Sequence, residues 1–291
     1  MREDFAAFIL THGRPDRVVT YNTLRKSGYT GRIFLVVDDE DKTFPEYKDR
    51  YGAEVVQFSK SEASAEFDEG DNFGDRRAIF YARNSCWSIA KRLGIRWFIQ
   101  LDDDYVSFRF RFRRDLTPNP GTSPVQNMDR VLESLIDFQI LVGSITTCIS
   151  QGGDWIGGAE GVPTPRLRRK AMNSFICDAE SDLRFVGRVN EDVNTYTSLG
   201  RRGALFLTVM QVSLDQKQTQ TNAGGMTEMY LDSGTYVKSF YSVMYAPSCV
   251  KVSAMSDNRE GGHSRFHHDI DWPRTVPCIL REEYRKGGGR W

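Results

Sequence analysis

The stretch Phe98-Ile99-Gln100-Leu101-Asp102-Asp103-Asp104 decides the fold. A short apolar run of this kind reads as a buried strand, and here it passes directly into three carboxylates. In extended geometry alternate side chains share a face, so Asp102 and Asp104 point into one crevice while Asp103 points away. Adjacent carboxylates repel one another, which is costly unless water or a cation neutralises them. Two hard oxygen ligands at a strand end suit Mg or Mn gripping a substrate's phosphates. The other reading of the run is a solvated acidic turn.

Upstream, short apolar runs alternate with helical patterns. Phe5 to Leu10 reads as the first strand, and Val18, Val19 and Leu24 mark one side of a helix that starts near Pro15 and stops at Gly28. Arg32 to Val37 is a second strand, running into the acidic cluster Asp38, Asp39, Glu40 and Asp41. A helix over 44–51, a strand over 55–58 and a loop over 60–74 follow. Asp75 then opens a long helix through Ala78, Ala82, Cys86, Ile89 and Leu93 to Gly94. The alternation predicts an α/β fold with a mixed, mostly parallel sheet flanked by helices, its ligand at the carboxyl ends of the strands.

Downstream, 107–114 alternates Phe with Arg, the period of a strand with one apolar and one basic face. A Pro/Gly turn over 117–123 leads to a helix from Pro124 carrying Met128, Val131, Leu132, Leu135 and Ile136. Apolar stretches over 140–149, 203–212 and 236–252 read as strands, and 215–227 as a loop that orders on ligand binding. A soft boundary near residue 110 separates two closely packed halves, 1–110 and 111–291.

Lys plus Arg and Asp plus Glu both number 39, so contact with a polyanion must come from local patches rather than net charge. Five cysteines without a CxxC pair read as buried thiols, not as a disulfide framework or zinc ribbon. No apolar run is long enough to span a bilayer and the N-terminus lacks a secretory pattern, so a cytoplasmic location without membrane contact is expected. Neither GxGxxG after the first strand nor GxxxxGK[ST] occurs, which excludes the common dehydrogenase and P-loop readings.

Taken in order, Thr11-His12-Gly13-Arg14-Pro15, Asp38-Asp39, Ala82-Arg83-Asn84, Leu101-Asp102-Asp103-Asp104 and Asn190-Glu191-Asp192 resemble a GT-A (Rossmann-like) glycosyltransferase. Within that superfamily, the first motif together with Asp75-Arg76-Arg77-Ala78, residues 100–105, Phe266-His267-His268 and the 280–284 tail resembles the glycosyltransferases associated with TET/JBP-type dioxygenases in phages. The resemblance spans most of the chain. It implies transfer of a sugar from a nucleotide sugar, expected to be a UDP-sugar, to 5-hydroxymethylpyrimidines in DNA, with Mn or Mg as cofactor. The first half is then the donor side and the second the acceptor side.

The same resemblance implies roles. Thr11 and Arg14 hold the donor's base and diphosphate, Asp38 or Asp39 contacts nucleoside groups, and Arg77 and Arg83 reach phosphate. Asp102 binds ribose and metal, Asp104 binds metal, and a C-terminal histidine, His267 in preference to His268, adds a metal ligand. The acidic pair Glu191 and Asp192 supplies the base, with Asp192 favoured. Asn190-Glu191-Asp192 also reads as a helix cap followed by first-turn acids.

On the acceptor side, Gly152-Gly153-Asp154-Trp155-Ile156-Gly157-Gly158 offers flexible backbone around a carboxylate and an aromatic, so Asp154 and Trp155 are the acceptor-pocket candidates. Trp155 is also the candidate to stack on a flipped base. The Arg109, Arg111, Arg113 face, the cluster Arg166, Arg168, Arg169 and Lys170, and the basic tail are the phosphate-contact candidates, although such patches are more often solvated faces. Other functions compatible with these residues are transfer to a protein or glycan, nucleotidyl transfer, and a non-catalytic DNA-binding module. Oligomeric state is not legible.

Overall fold

The structure, a computed structural model, describes residues 1–71, 74–115, 117–155, 170–216, 226–255 and 265–276. Its strands are β1 (Phe5–Leu10), β2 (Arg32–Asp38), β3 (Val55–Phe58), β4 (Trp97–Asp102), β5 (Tyr105–Phe112), β6 (Pro118–Pro124), β7 (Thr146–Gln151), β8 (Ser174–Asp178) and β9 (Phe206–Gln216). They form one sheet in the order β3-β2-β1-β4-β8-β7-β9-β5-β6. The first four run parallel, β8 lies antiparallel to both β4 and β7, β9 runs parallel to β7, and β5 lies antiparallel to β9 and β6. Only β8 and β5 therefore oppose the rest, and the sheet is mixed and mostly parallel, as a GT-A arrangement requires.

The helices are α1 (Val19–Lys26), α2 (Phe44–Tyr51), α3 (Lys60–Glu66), α4 (Phe80–Arg92), α5 (Met128–Val142), α6 (Glu191–Gly200) and α7 (Met226–Tyr245). The two-residue period of β1 builds both faces of the core. Ala6, Phe8 and Leu10 join Phe98, Phe175 and Trp87 of α4 on one side. Phe5, Ala7 and Ile9 join Ile99, Leu101 and the α5 residues Met128, Leu132 and Ile136 on the other. A separate antiparallel pair, β10 (Val250–Met255) and β11 (Arg265–Ile270), packs on α7. The four described cysteines are buried and free, as expected.

Several local expectations give way to the structure. Residues 60–66 form α3 instead of loop because Ser59 caps the turn, its hydroxyl accepting from the Glu62 amide, and Ala63 is buried. The long helix starts at Phe80, five residues later than expected, leaving Asp75 to Arg77 in the preceding turn. The 117–123 turn is strand β6, tolerated with its prolines because it lies at the sheet edge. The strand expected over 140–149 is the end of α5, stopped by left-handed Gly143, and then β7. Residues 236–245 belong to α7, where Tyr236 and Phe240 stack at 5.9 Å one helical turn apart.

The position near 110 expected to divide two halves falls inside β5, and the sheet continues through it from β4 to β8 and from β9 to β5. No helix among the described residues is long and apolar enough to cross a membrane.

Candidate active site

The carboxyl ends of β1, β2, β4, β7 and β9 share one edge of the sheet, and antiparallel β8 and β5 begin at that same edge. The topology therefore gathers residues 11–14, 38–41, 102–104, 151–155, 173 and 216 along one rim, although they are far apart in sequence.

Beyond Asp102 the chain leaves the strand in a turn, and the three aspartates take separate partners. Asp102 Oδ1 accepts from Arg83 Nη2 at 3.1 Å. Buried Asp103 accepts from the Thr11 hydroxyl at 2.7 Å and lies 3.4 Å from Arg14 Nε. Asp104 accepts from the Gln216 side-chain amide at 3.2 Å. Asp103 thus takes its partners from the first βα turn, apart from those of Asp102 and Asp104. Burial pushes the Asp102 carboxyl up to about 7, and the neighbouring charges of Asp104, Glu191 and Asp103 push the same way against the pull of Arg83. Burial also raises Asp103, opposed by Arg14 and Thr11.

Arg83 is the hub. Its side chain is 2% exposed, and its Nε donates to Glu191 Oε1 at 2.9 Å while Nη2 reaches Asp102. The guanidinium lies over the Phe175 ring at 5.1 Å, and Gln100 Nε2 donates to the Arg83 carbonyl at 2.9 Å. The next residue, Asn84, makes a paired amide contact with the Phe185 backbone, 3.0 Å to its carbonyl and 2.8 Å from its N–H. Together they hold the segment leading into α6. The phosphate role expected of Arg83 does not fit this placement, because a buried guanidinium bridging two carboxylates is not presented to a ligand.

Glu191 and Asp192 occupy the first turn of α6. Asn190 precedes them in left-handed backbone, φ 56°, and makes no cap; its amide instead donates to the Lys238 carbonyl of α7 at 2.7 Å. Glu191 is buried, and its carboxyl is raised by that burial and by Asp192, with Arg83 opposing. Asp192 is half-buried and accepts from the Val193 amide at 2.7 Å.

At the donor side, Thr11 is buried and its hydroxyl spans Asp103 and Tyr47, which removes it from a direct ligand role. Arg14 is one-third exposed beside Asp103. Asp38 is buried, with Oδ2 held at 2.6 Å by His12 Nδ1 and Oδ1 at 3.0 Å by Lys60 Nζ. Exposed Asp39 accepts from the Lys60 amide. Arg77 is exposed and pairs with Asp75 at 2.9 Å. His12, Lys60 and Asp41 are not among the residues given roles from the sequence; the Thr-His-Gly-Arg motif and the acidic cluster over 38–41 are the signals that point near them.

His267 lies on β11, its Nδ1 donating to the His268 carbonyl at 2.7 Å. Among the described residues no three His, Cys, Asp or Glu side chains converge as metal ligands, so Asp102, Asp104 and His267 do not form such a group. Trp155 is buried, edge-on to Phe112 at 5.8 Å and beneath Arg111 at 5.8 Å, so it is packed and not presented for stacking. Asp154 accepts from the Gln151 amide and closes its own turn. Arg109 and Arg111 both pair with Asp215, at 3.2 and 3.4 Å, while Arg113 of the same stripe is exposed. Lys170 meets His268 at 3.0 Å; Arg166, Arg168, Arg169, most of the 215–227 loop and the C-terminal tail lie outside the described residues.

Comparison with known proteins gives structural neighbours of low identity. TarS of S. aureus is 13% identical with TM-score 0.42, matching 74% of this chain, which spans only 37% of that protein. Glucosyl-3-phosphoglycerate synthase from Mycobacterium tuberculosis, in complex with Mn2+, UDP and phosphoglyceric acid, is 12% identical with TM-score 0.46, covering 95% of this chain and 88% of its own. The mannosyltransferase PcManGT from Pyrobaculum calidifontis, in complex with GDP-Man and Mn2+, is 11% identical with TM-score 0.44, covering 84% and 74%. No curated protein matches the sequence. The TET-Associated Glycosyltransferase family matches residues 5–225, three quarters of the chain. The chain belongs to that family and is a glycosyltransferase.

Proposed function

We propose that the enzyme transfers a sugar from a UDP-sugar to the hydroxymethyl group of 5-hydroxymethylpyrimidines in DNA, with Asp192 as general base. The observation that carries this reading is the Arg83 bridge, which ties the aspartates at the end of β4 to the acidic first turn of α6. One guanidinium thereby joins Asp102, which this reading puts on the donor side, to Glu191, which it puts on the acceptor side. The family's association with TET dioxygenases supports a hydroxymethylated base as acceptor.

The donor set fits a hard divalent cation. Asp102 and Asp104 offer carboxylate oxygens, and burial raises Asp102 to about 7, with Asp104, Glu191 and Asp103 pushing the same way and Arg83 opposing. Mg-type sites use one or two carboxylates and take their remaining ligands from water and substrate phosphates. Asp102 and Asp104 would hold Mn or Mg, which when bound supplies charge neutralisation for the departing diphosphate. The chain's own groups do the rest. Arg14, beside Asp103, and exposed Arg77 would supply cationic groups to the diphosphate. Asp192 takes the proton of the acceptor hydroxyl as its oxygen bonds to the anomeric carbon and the sugar–phosphate bond breaks, the electron pair leaving with the diphosphate. Glu191, held by Arg83, fixes the turn and is a positioning residue.

The test is incubation with Mn, a panel of nucleotide sugars, and DNA carrying hydroxymethylcytosine or hydroxymethyluracil, followed by mass measurement of the released nucleosides. A hexose-sized gain on a hydroxymethylated nucleoside is the expected result. Donor turnover with protein or glycan acceptors and none with DNA would overturn the acceptor assignment.

A further inference from the structure

Of the two acids that the sequence assigns to the donor's nucleoside, Asp39 is exposed but Asp38 does not face solvent. Asp38 and Asp41, at the end of β2 and just beyond it, are 4% and 6% exposed. The oxygens of Asp38 are taken by His12 Nδ1 at 2.6 Å, by Lys60 Nζ at 3.0 Å and by the Glu40 amide at 3.1 Å. Asp41 Oδ2 accepts the Gly13 amide at 2.7 Å and lies 3.6 Å from His12 Nδ1. The His12 side chain is 54% exposed and caps both carboxylates. Gly13 beside it has φ +67°, and a Cβ there would meet nothing within 4 Å, so the turn borders open space.

We infer that His12, and not Asp38, reads the base of the nucleotide donor, and that it favours a base presenting a carbonyl oxygen at that edge over one presenting an amino group. The inference rests on the donor-side reading proposed above. With Nδ1–H committed to Asp38, the remaining ring nitrogen Nε2 is the group left for a ligand. In the imidazolium it donates, which suits the exocyclic carbonyl of uracil and opposes the amino group of cytosine. In the neutral ring it becomes an acceptor, and the preference for a carbonyl is lost in favour of the amino group. Asp38 and Asp41 stand on one side of the ring and Lys60 approaches from α3; the hydrogen bond to Asp38 outweighs burial and Lys60, so His12 holds its proton to higher pH than a free histidine.

The experiment is calorimetric binding of UDP and CDP, with Mg present, at about pH 6 and about pH 8.5. Taking the ratio of the two affinities at each pH cancels the diphosphate and every group that touches it. The wild type should bind UDP roughly tenfold more tightly than CDP at the lower pH, the worth of one charge-assisted hydrogen bond, and lose most of that preference at the higher. His12→Gln, which keeps a polar side chain but cannot become charged, should show a small ratio independent of pH. A thermal melt within a few degrees of wild type establishes that the variant is folded, and His12→Asn serves if it is not. A ratio that stays large and pH-dependent in the variant, or equal weakening of both nucleotides, overturns the assignment to His12 while leaving the donor site standing. Wild-type protein that binds neither nucleotide removes the donor site itself, and this inference with it.

Discussion

Two neighbouring acids, Glu191 and Asp192, have opposite fates because one points at Arg83 and the other does not. Glu191 is spent on a buried ion pair, whereas Asp192 is half-buried at a helix start. Asp192→Asn should therefore lower the transfer rate by about 10²–10⁴, the usual worth of a general base. Donor affinity and melting temperature should be unchanged, as read by single-turnover kinetics, calorimetry and a thermal melt. Near-normal turnover would place the base elsewhere. Buried His268 makes a different prediction. Burial first, then Lys170 and His267, hold its imidazole neutral down to about 2, whereas in the unfolded chain it takes a proton below about pH 6.5. Between those limits the unfolded chain binds more protons, so stability falls as pH drops, by at most about 1.4 kcal/mol per pH unit. Urea denaturation between pH 7 and pH 4.5 should show a shallower acid loss in His268→Gln than in wild type; parallel curves would refute it.

At the scale of elements, α4 is a clasp between the β4 end and the start of α6. Arg83 carries the ion pairs and Asn84 carries the backbone of Phe185. Arg83→Met should cost about 3–5 kcal/mol, because Asp102 and Glu191 are left facing each other without a counter-charge. Asn84→Ala should cost about 1–3 kcal/mol through two unsatisfied backbone groups. Chemical denaturation checks both; a cost below 1 kcal/mol for Arg83→Met would mean that the carboxylates find other partners. The Ala-Arg-Asn motif was legible in the sequence, but its partners were not, since Glu191 lies 108 residues away and periodicity carries no information across that distance. The same gap explains His12: nothing in the first βα turn says that its ring will cap Asp38. It also explains Arg109 and Arg111, whose basic stripe was legible but whose partner Asp215 on β9 was not.

For the whole molecule, the strands of the first hundred residues were legible because parallel strands buried on both faces are short continuous apolar runs. Beyond residue 140 the signal faded where α7, with its buried Ser239 and Ser242, alternates too weakly to separate helix from strand. The sequence reads the two halves as closely packed in one domain, and the structure adds how they share one sheet. Residues 1–110 contain β1 to β4, but the free edge of β4 is covered by β8, and part of β5 is paired with β9. The core face formed by Phe8 and Phe98 is closed by Phe175 and Phe185 from the second half. A fragment ending at residue 110 thus exposes an apolar strand edge and half of one core layer, and leaves Arg83 without Glu191. It should be expressed insoluble or without a cooperative melt, in contrast to a sharp single transition for the full chain, as followed by circular dichroism. A soluble 1–110 fragment with its own cooperative transition would show that the donor half is a domain in its own right, and the Arg83 bridge would then be a contact between domains instead of part of one core.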